Sequence, residues 1–141
     1  MRVLGVDVGR RRIGLAISDP SGTLARPLTT LSVSGGRDGV KDVATQAAVL
    51  AAEQDGLAAI VIGVPMRLDG SASDETARVA RFIGALRAET AIPIHEGDER
   101  LTSREAESRL AINEPDWRRR KSRIDAAAAA IILQDYLDRS R

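Results

Sequence analysis

Residues 2–18, RVLGVDVGRRRIGLAIS, decide the fold. Arg2 to Val8 is β-rich and nearly continuous in apolar residues, the pattern of a strand buried on both faces. Gly9 to Arg12 is a turn, and Ile13 to Ser18 returns as a second strand, so the chain opens on a hairpin. Gly9 and Gly14 are read as hairpin-turn residues, because neither glycine pattern is a nucleotide fingerprint. Gly5-x-Asp7-x-Gly9 lacks the dinucleotide spacing, and Leu15 and Ala16 stand where a P-loop needs Lys and Ser or Thr. One residue is out of place in such a strand. Asp7 lies between Val6 and Val8, and a lone carboxylate is costly to bury unless paired, hydrogen-bonded or bound to metal. Its partner is either an arginine of the Arg10–Arg12 turn or something the chain is built to hold.

Outward from this hairpin the elements follow in order. Asp19 to Gly22 has turn chemistry, and Ala25 to Val33 is a weaker third strand that Pro27 assigns to an edge. Helical spacing runs from Asp38 to Gln54, with Val40, Val43, Ala47, Leu50 and Ala51 inward. Ala58 to Val64 is a buried central strand, followed by a loop over Pro65 to Gly70. Ser73 to Ala88 reads as an amphipathic helix with Ala77, Ala80, Ile83 and Leu86 inward. Ile92 to His95 is the fifth strand. Thr102-Ser-Arg-Glu105 opens a helix to about Ile112 through a capping box, and a last helix runs from about Ile124 to Arg139. The order β-β-β-α-β-α-β-α-α predicts an α/β fold: a five-stranded mixed sheet, a three-strand meander and then alternating elements, with helices on both faces. The 141 residues show no repeat and no linker, so one domain over 1–141 is expected.

Composition narrows the chemistry. The chain has no cysteine, which excludes disulfides, thiol nucleophiles and thiolate zinc sites. His95 is the single histidine, too few for a multi-histidine metal cage. Aromatics are 2%, too sparse for base-stacking platforms. The longest apolar run, Ala126 to Leu133, is far shorter than a membrane span requires, and the charged start does not resemble a signal peptide. The expectation is therefore a cytoplasmic protein with no membrane partner.

Net charge is +1, but it is unevenly placed. Of 21 basic residues only Lys41 and Lys121 are lysines. Trp117 to Arg123 carries five positive charges, Arg118, Arg119, Arg120, Lys121 and Arg123, and leaves the remainder at −4. Arg10, Arg11 and Arg12 form a second cluster. The acids worth following are Asp7, then Asp98 and Glu99 directly after the fifth strand, where α/β sheets place working residues. The fourth is Asp125, which either caps the last helix through Ser122-Arg-Ile-Asp125 or is carried by it toward the strand ends. Carboxylates gathered at one sheet edge repel one another unless hard cations lie between them. Two such ions can activate water and stabilise the leaving oxygen in phosphodiester cleavage. The basic segment just before Asp125 would grip a phosphate backbone there.

Four stretches together resemble a known family. They are Gly5 to Asp19, GVDVGRRRIGLAISD; Val61 to Ser71, VIGVPMRLDGS; Asp98 to Ser103, DERLTS; and Arg123 to Gln134, RIDAAAAAIILQ. In this order they resemble the YqgF family, also called RuvX or Holliday junction resolvase-like. The resemblance implies a ribonuclease H-like fold and a metal-dependent nuclease that processes the 5′ end of the 16S rRNA precursor. Junction resolution is the older proposal for such proteins. By similarity Asp7, Glu99 and Asp125 are the catalytic, metal-binding carboxylates, with Asp98 either a further ligand or the residue that orients Arg100. Ribonuclease H-like enzymes often carry an acid at the end of the central strand; here that place is Gly63-Val64-Pro65, so Glu99 would fill the role. The implied cofactor is Mg²⁺ or Mn²⁺, as two ions. Arg10, Arg11, Arg12, Arg100, Arg118, Arg119, Arg120, Lys121 and Arg123 would contact phosphates. The implied partner is structured RNA ahead of branched DNA, bound by a monomer or weak homodimer. A four-way-junction resolvase using the same site and a non-catalytic RNA-binding assembly factor are the competing readings.

Overall fold

The computed structural model describes residues 1–33, 38–98 and 117–140, with only the backbone of 117–123. Its strands are β1 (Arg2–Val8), β2 (Arg12–Ser18), β3 (Ala25–Ser32), β4 (Leu57–Val64) and β5 (Ile94–Asp98). Its helices are α1 (Val40–Ala52), α2 (Asp74–Glu89) and α3 (Trp117–Arg139). The strands form one mixed sheet in the order β3-β2-β1-β4-β5, antiparallel through the meander and parallel where β1 meets β4 and β4 meets β5. β1 is therefore the middle strand, and β4 is interior beside it. Pro27 lies on the edge strand, as its missing N–H requires. The helix expected over 102–112 lies outside the described residues.

Strand alternation divides the sheet into two faces. Leu4, Val6, Val8, Ile13, Leu15, Ile17, Ile60 and Ile62 pack with Val43, Leu50, Phe82 and Leu86 of α1 and α2. The opposite face is thinner, with Val3, Ala16, Ala59 and Val61 meeting Ala129, Ile132, Leu133 and Leu137 of α3. Helices thus cover both faces. Arg2 ties the first face together: its guanidinium donates to the carbonyls of Leu50 (3.0 Å) and Gly56 (3.2 Å) and to Glu53 Oε1 (3.0 Å). A cation there also complements the negative end of α1.

Several expectations are corrected. The inward stripe of α2 is Val79, Phe82, Ile83 and Leu86, whereas Ala77 and Ala80 are exposed. Branched and aromatic side chains bury more apolar area than alanine, so the helix rotates to bury them. Ala51 is likewise exposed. β5 begins and ends later than expected, because Ile94 to Asp98 pair in parallel with Ile60 to Val64. The largest difference is α3, which starts at Trp117 instead of Ile124. Arginine and lysine are good helix formers, and the basic stretch continues the helix upstream. Asp125 is consequently the ninth residue of α3, not part of an N-terminal capping box.

Candidate active site

Asp7 is next to last in β1 and is 8% exposed. Leu4, Val6 and Val8 face α1 and α2, so Gly5 and Asp7 face α3. The contacts of Gly5 confirm this side, because a Cβ there would meet Leu133 Cβ and the Ala129 carbonyl oxygen. Across the ladder Asp7 pairs with Gly14 of β2. Gly14 is not a turn residue, contrary to expectation. A Cβ on it would lie 1.8 Å from the Asp125 carbonyl oxygen, so the backbone of α3 rests directly on the sheet at this residue. Gly9 does serve the turn: its N–H donates to the Arg12 carbonyl at 2.9 Å.

The close approach at Gly14, the ladder partner of Asp7, seats the backbone of Asp125 on the strand beside Asp7. Asp125 Oδ2 accepts a 2.7 Å hydrogen bond from Arg12 Nε, with both side chains partly buried. Arg12 lies two residues from Gly14 on the same face of β2, so one strand supplies both the gap that admits α3 and the cation that orients its carboxylate. Arg12 thus has a partner within the protein through its Nε. Arg10 is ion-paired with Glu75 of α2, while Arg11 is exposed. Glu75 also receives Arg78 Nε (3.0 Å) and a second Arg78 nitrogen (2.7 Å). Arg78, and then Arg10, hold the Glu75 carboxyl below its usual range.

Asp98 closes β5 opposite Val64. Ile94 packs with α1 and α2, His95 stacks on Tyr136 of α3 at 5.7 Å, and a Cβ on Gly97 would meet Ile132 of α3. Alternation therefore assigns Asp98 to the α2 side, away from Asp7. Glu99 and Arg100 lie outside the described residues, as do the side chains of Arg118, Arg119, Arg120, Lys121 and Arg123. The backbone places those five on the first two turns of α3. From Arg118 to Asp125 the helix rises about 10 Å. α3 runs from Asp125 over Gly14 to Leu133 over Gly5, antiparallel to β1, so the basic turns overhang the carboxyl ends of the parallel strands.

Among the described residues no group of three acidic or histidine side chains is placed to hold a metal ion. Asp7 on β1 and Asp125 on the turn of α3 that rests on the neighbouring strand both carry oxygen donors of the kind a hard divalent cation takes. The ladder partner of Asp7 is Gly14, so no side chain from β2 stands directly across from the carboxylate. Sequence reading missed Glu75, Arg78 and Arg81. Their spacing of three on the first turns of α2 was the available signal.

The five-stranded mixed sheet with helices on both faces is a ribonuclease H-like fold. Among solved structures, Thermus thermophilus RuvC in complex with a Holliday junction substrate superposes with a TM-score of 0.56, covering 99% of this chain and 95% of that one at 17% identity. The fowlpox virus resolvase with Holliday junction DNA gives 0.60, covering 99% of both chains at 10% identity. The family model described as "RuvX: Holliday junction resolvase" matches residues 1–139, and the chain belongs to this family of nucleases. Two relatives, each named "Putative pre-16S rRNA nuclease", come from Koribacter versatilis and an Anaeromyxobacter species. The first is 41% identical over 98% of this chain and 87% of its own length; the second is 45% identical over 98% and 97%.

Proposed function

We propose that this nuclease is a metal-dependent endonuclease of the cytoplasm that processes the 5′ end of the 16S rRNA precursor during ribosome biogenesis. The observation that supports this is the seating of the Asp125 backbone on Gly14, the ladder partner of buried Asp7, near the carboxyl end of the middle strand. Asp7, Asp125 and Glu99 would hold Mg²⁺ or Mn²⁺, as two ions. Bound there, such cations would supply Lewis acidity, lowering the pKa of a water and offsetting phosphodiester charge. Asp7, anchored in a rigid strand, fixes one side of the site. Arg12 holds Asp125 in one rotamer, so its free oxygen is oriented before any substrate arrives. The basic turns of α3 and Arg100 would draw in the phosphate backbone, with structured RNA as the partner and a monomer or weak homodimer as the working form.

Phosphate contacts carry no base sequence, so the family description also supports a second reading, resolution of four-way DNA junctions at the same site. That reaction makes two symmetric nicks and requires a dimer with two sites. The test assays wild-type protein and Asp7→Asn on a precursor 5′ fragment and on a four-way junction, each with Mg²⁺, Mn²⁺ or EDTA. RNA cleavage that EDTA and Asp7→Asn both abolish, with unfolding temperature unchanged, is the expected result. Cleavage that survives Asp7→Asn would refute the site.

A further inference from the structure

A groove of about 500 Å³ lies behind the proposed site, on the α2 side of the sheet. Gly9 and Phe82 line it, with the cations Arg10, Arg78 and Arg81 and the carboxylate of Asp38. Its position relative to Asp7 is fixed by one hydrogen bond, since Arg78 donates to the carbonyl of Val8 at 3.0 Å. The groove therefore begins at Gly9, two residues from Asp7, and opens on the opposite face of the same strand end. Asp38 is committed to α1, accepting from Val40 N–H at 3.1 Å, and Glu75 balances Arg78 and Arg10. Arg81 is exposed, and among the described residues no carboxylate pairs with it. The Arg10 side chain is 70% exposed despite its bond to Glu75. Three guanidinium groups against two carboxylates leave a net positive groove in which one cation is uncommitted.

We propose that this groove is a second phosphate subsite, holding the nucleic-acid strand that flanks the cut after it passes over the carboxyl end of β1. The inference rests on the nuclease reading and extends it, because it assigns the flanking strand a path along α2 rather than only along the basic turns of α3. Guanidinium groups suit this ligand: they stay charged and present forked donors to phosphate oxygens. Arg78, already fixed on two sides, would act as a pre-oriented donor, and Arg81 would supply the uncompensated charge.

The experiment measures binding of fluorescein-labelled single-stranded RNA, and of DNA of the same sequence, across a salt series in EDTA. It compares wild-type protein with Arg81→Ala, Arg81→Glu and Arg26→Ala. The last removes the same charge from exposed residue 26 on the far edge strand. Loss of one phosphate contact should lower the slope of log K against log salt by about 0.7 in Arg81→Ala. Kd should rise severalfold, and further in Arg81→Glu, with Arg26→Ala at wild-type values. Loss on RNA alone assigns the flanking strand as RNA, and loss on both assigns it to the shared phosphate chain. Wild-type affinity and slope in both Arg81 variants would overturn the subsite, as would an equal loss in Arg26→Ala; cleavage by the wild type would still stand. Arg81-dependent binding without any cleavage would instead overturn the nuclease reading and keep the subsite. A wild-type protein that binds neither strand would overturn both.

Discussion

Replacing Gly14 with alanine is the most direct probe of how this site is assembled. The new Cβ would lie 1.8 Å from the Asp125 carbonyl oxygen, 2.1 Å from its carbonyl carbon and 2.7 Å from Ala126 N. All three are backbone atoms inside α3, so no side-chain rotation relieves the clash. Reaching even a 3.0 Å contact requires α3 to retreat by about 1.2 Å at Asp125. Such overpacking costs about 1–3 kcal/mol, or a fall of roughly 4–12 °C in unfolding temperature for a domain of this size. The retreat also stretches the 2.7 Å Arg12–Asp125 bond beyond hydrogen-bond range. If Asp125 is the metal ligand proposed above, a displacement of about 1 Å there costs on the order of 100-fold in rate. Gly5→Ala provides a graded comparison, because its Cβ would meet Leu133 Cβ at 2.7 Å and Ala129 O at 2.9 Å, needing only a few tenths of an ångström. Calorimetry and single-turnover cleavage of a precursor rRNA fragment should rank the proteins wild type, Gly5→Ala, Gly14→Ala. Gly14→Ala with wild-type stability and rate would refute the seating of α3 on β2.

Two further outcomes follow from local chemistry. Gly84→Ala should stabilise the protein by about 0.5–1 kcal/mol, because Gly84 is inside α2 with open space where its Cβ would lie; lowered stability by denaturant titration would contradict a helix there. Asp19 is held at about 2 by the Ser21 hydroxyl and the N–H groups of Leu24 and Thr23. Its folded pKa lies below the unfolded value, so its stabilising effect is full above the usual carboxylate range and is lost as pH falls toward 2. The unfolding-temperature gap between wild type and Asp19→Asn should therefore narrow from about pH 5 to about pH 2. A constant gap would oppose this account of the turn.

The local signals in the chain were enough for β1 and the hairpin, since an unbroken apolar run can be satisfied only by burial on both faces. They also identified Asp7 as anomalous, because the cost of a carboxylate among valines does not depend on the rest of the fold. Pro27 marked an edge strand for an equally local reason, its missing N–H. Helix faces were less legible: Ala77 and Ala80 have the right spacing, but competition for burial favoured Val79 and Phe82.

Asp125 shows where local reading ends. Ser122 to Asp125 fits a capping pattern, but that pattern cannot register that the seven residues before Ile124 continue the helix. Gly14 read as a turn residue because sequence shows only that a side chain is missing, not which backbone fills the space. Packing of α3 against β2 decided that. The choice of Arg12 as the partner of Asp125, with Arg10 directed to Glu75, was likewise tertiary, because Arg12 is the first residue of β2 under α3 whereas Arg10 is in the bend between β1 and β2, beside α2. By itself the sequence determined a first strand buried on both faces, the acid within it and the hard-ligand chemistry open to a chain without cysteine; that this strand, and not Ala58 to Val64, is the middle one came from the sheet order. Only the tertiary structure decided that the Asp125 turn of α3 rests on the strand beside Asp7 and that Arg12 holds Asp125, because both depend on an approach between backbones more than a hundred residues apart in the chain.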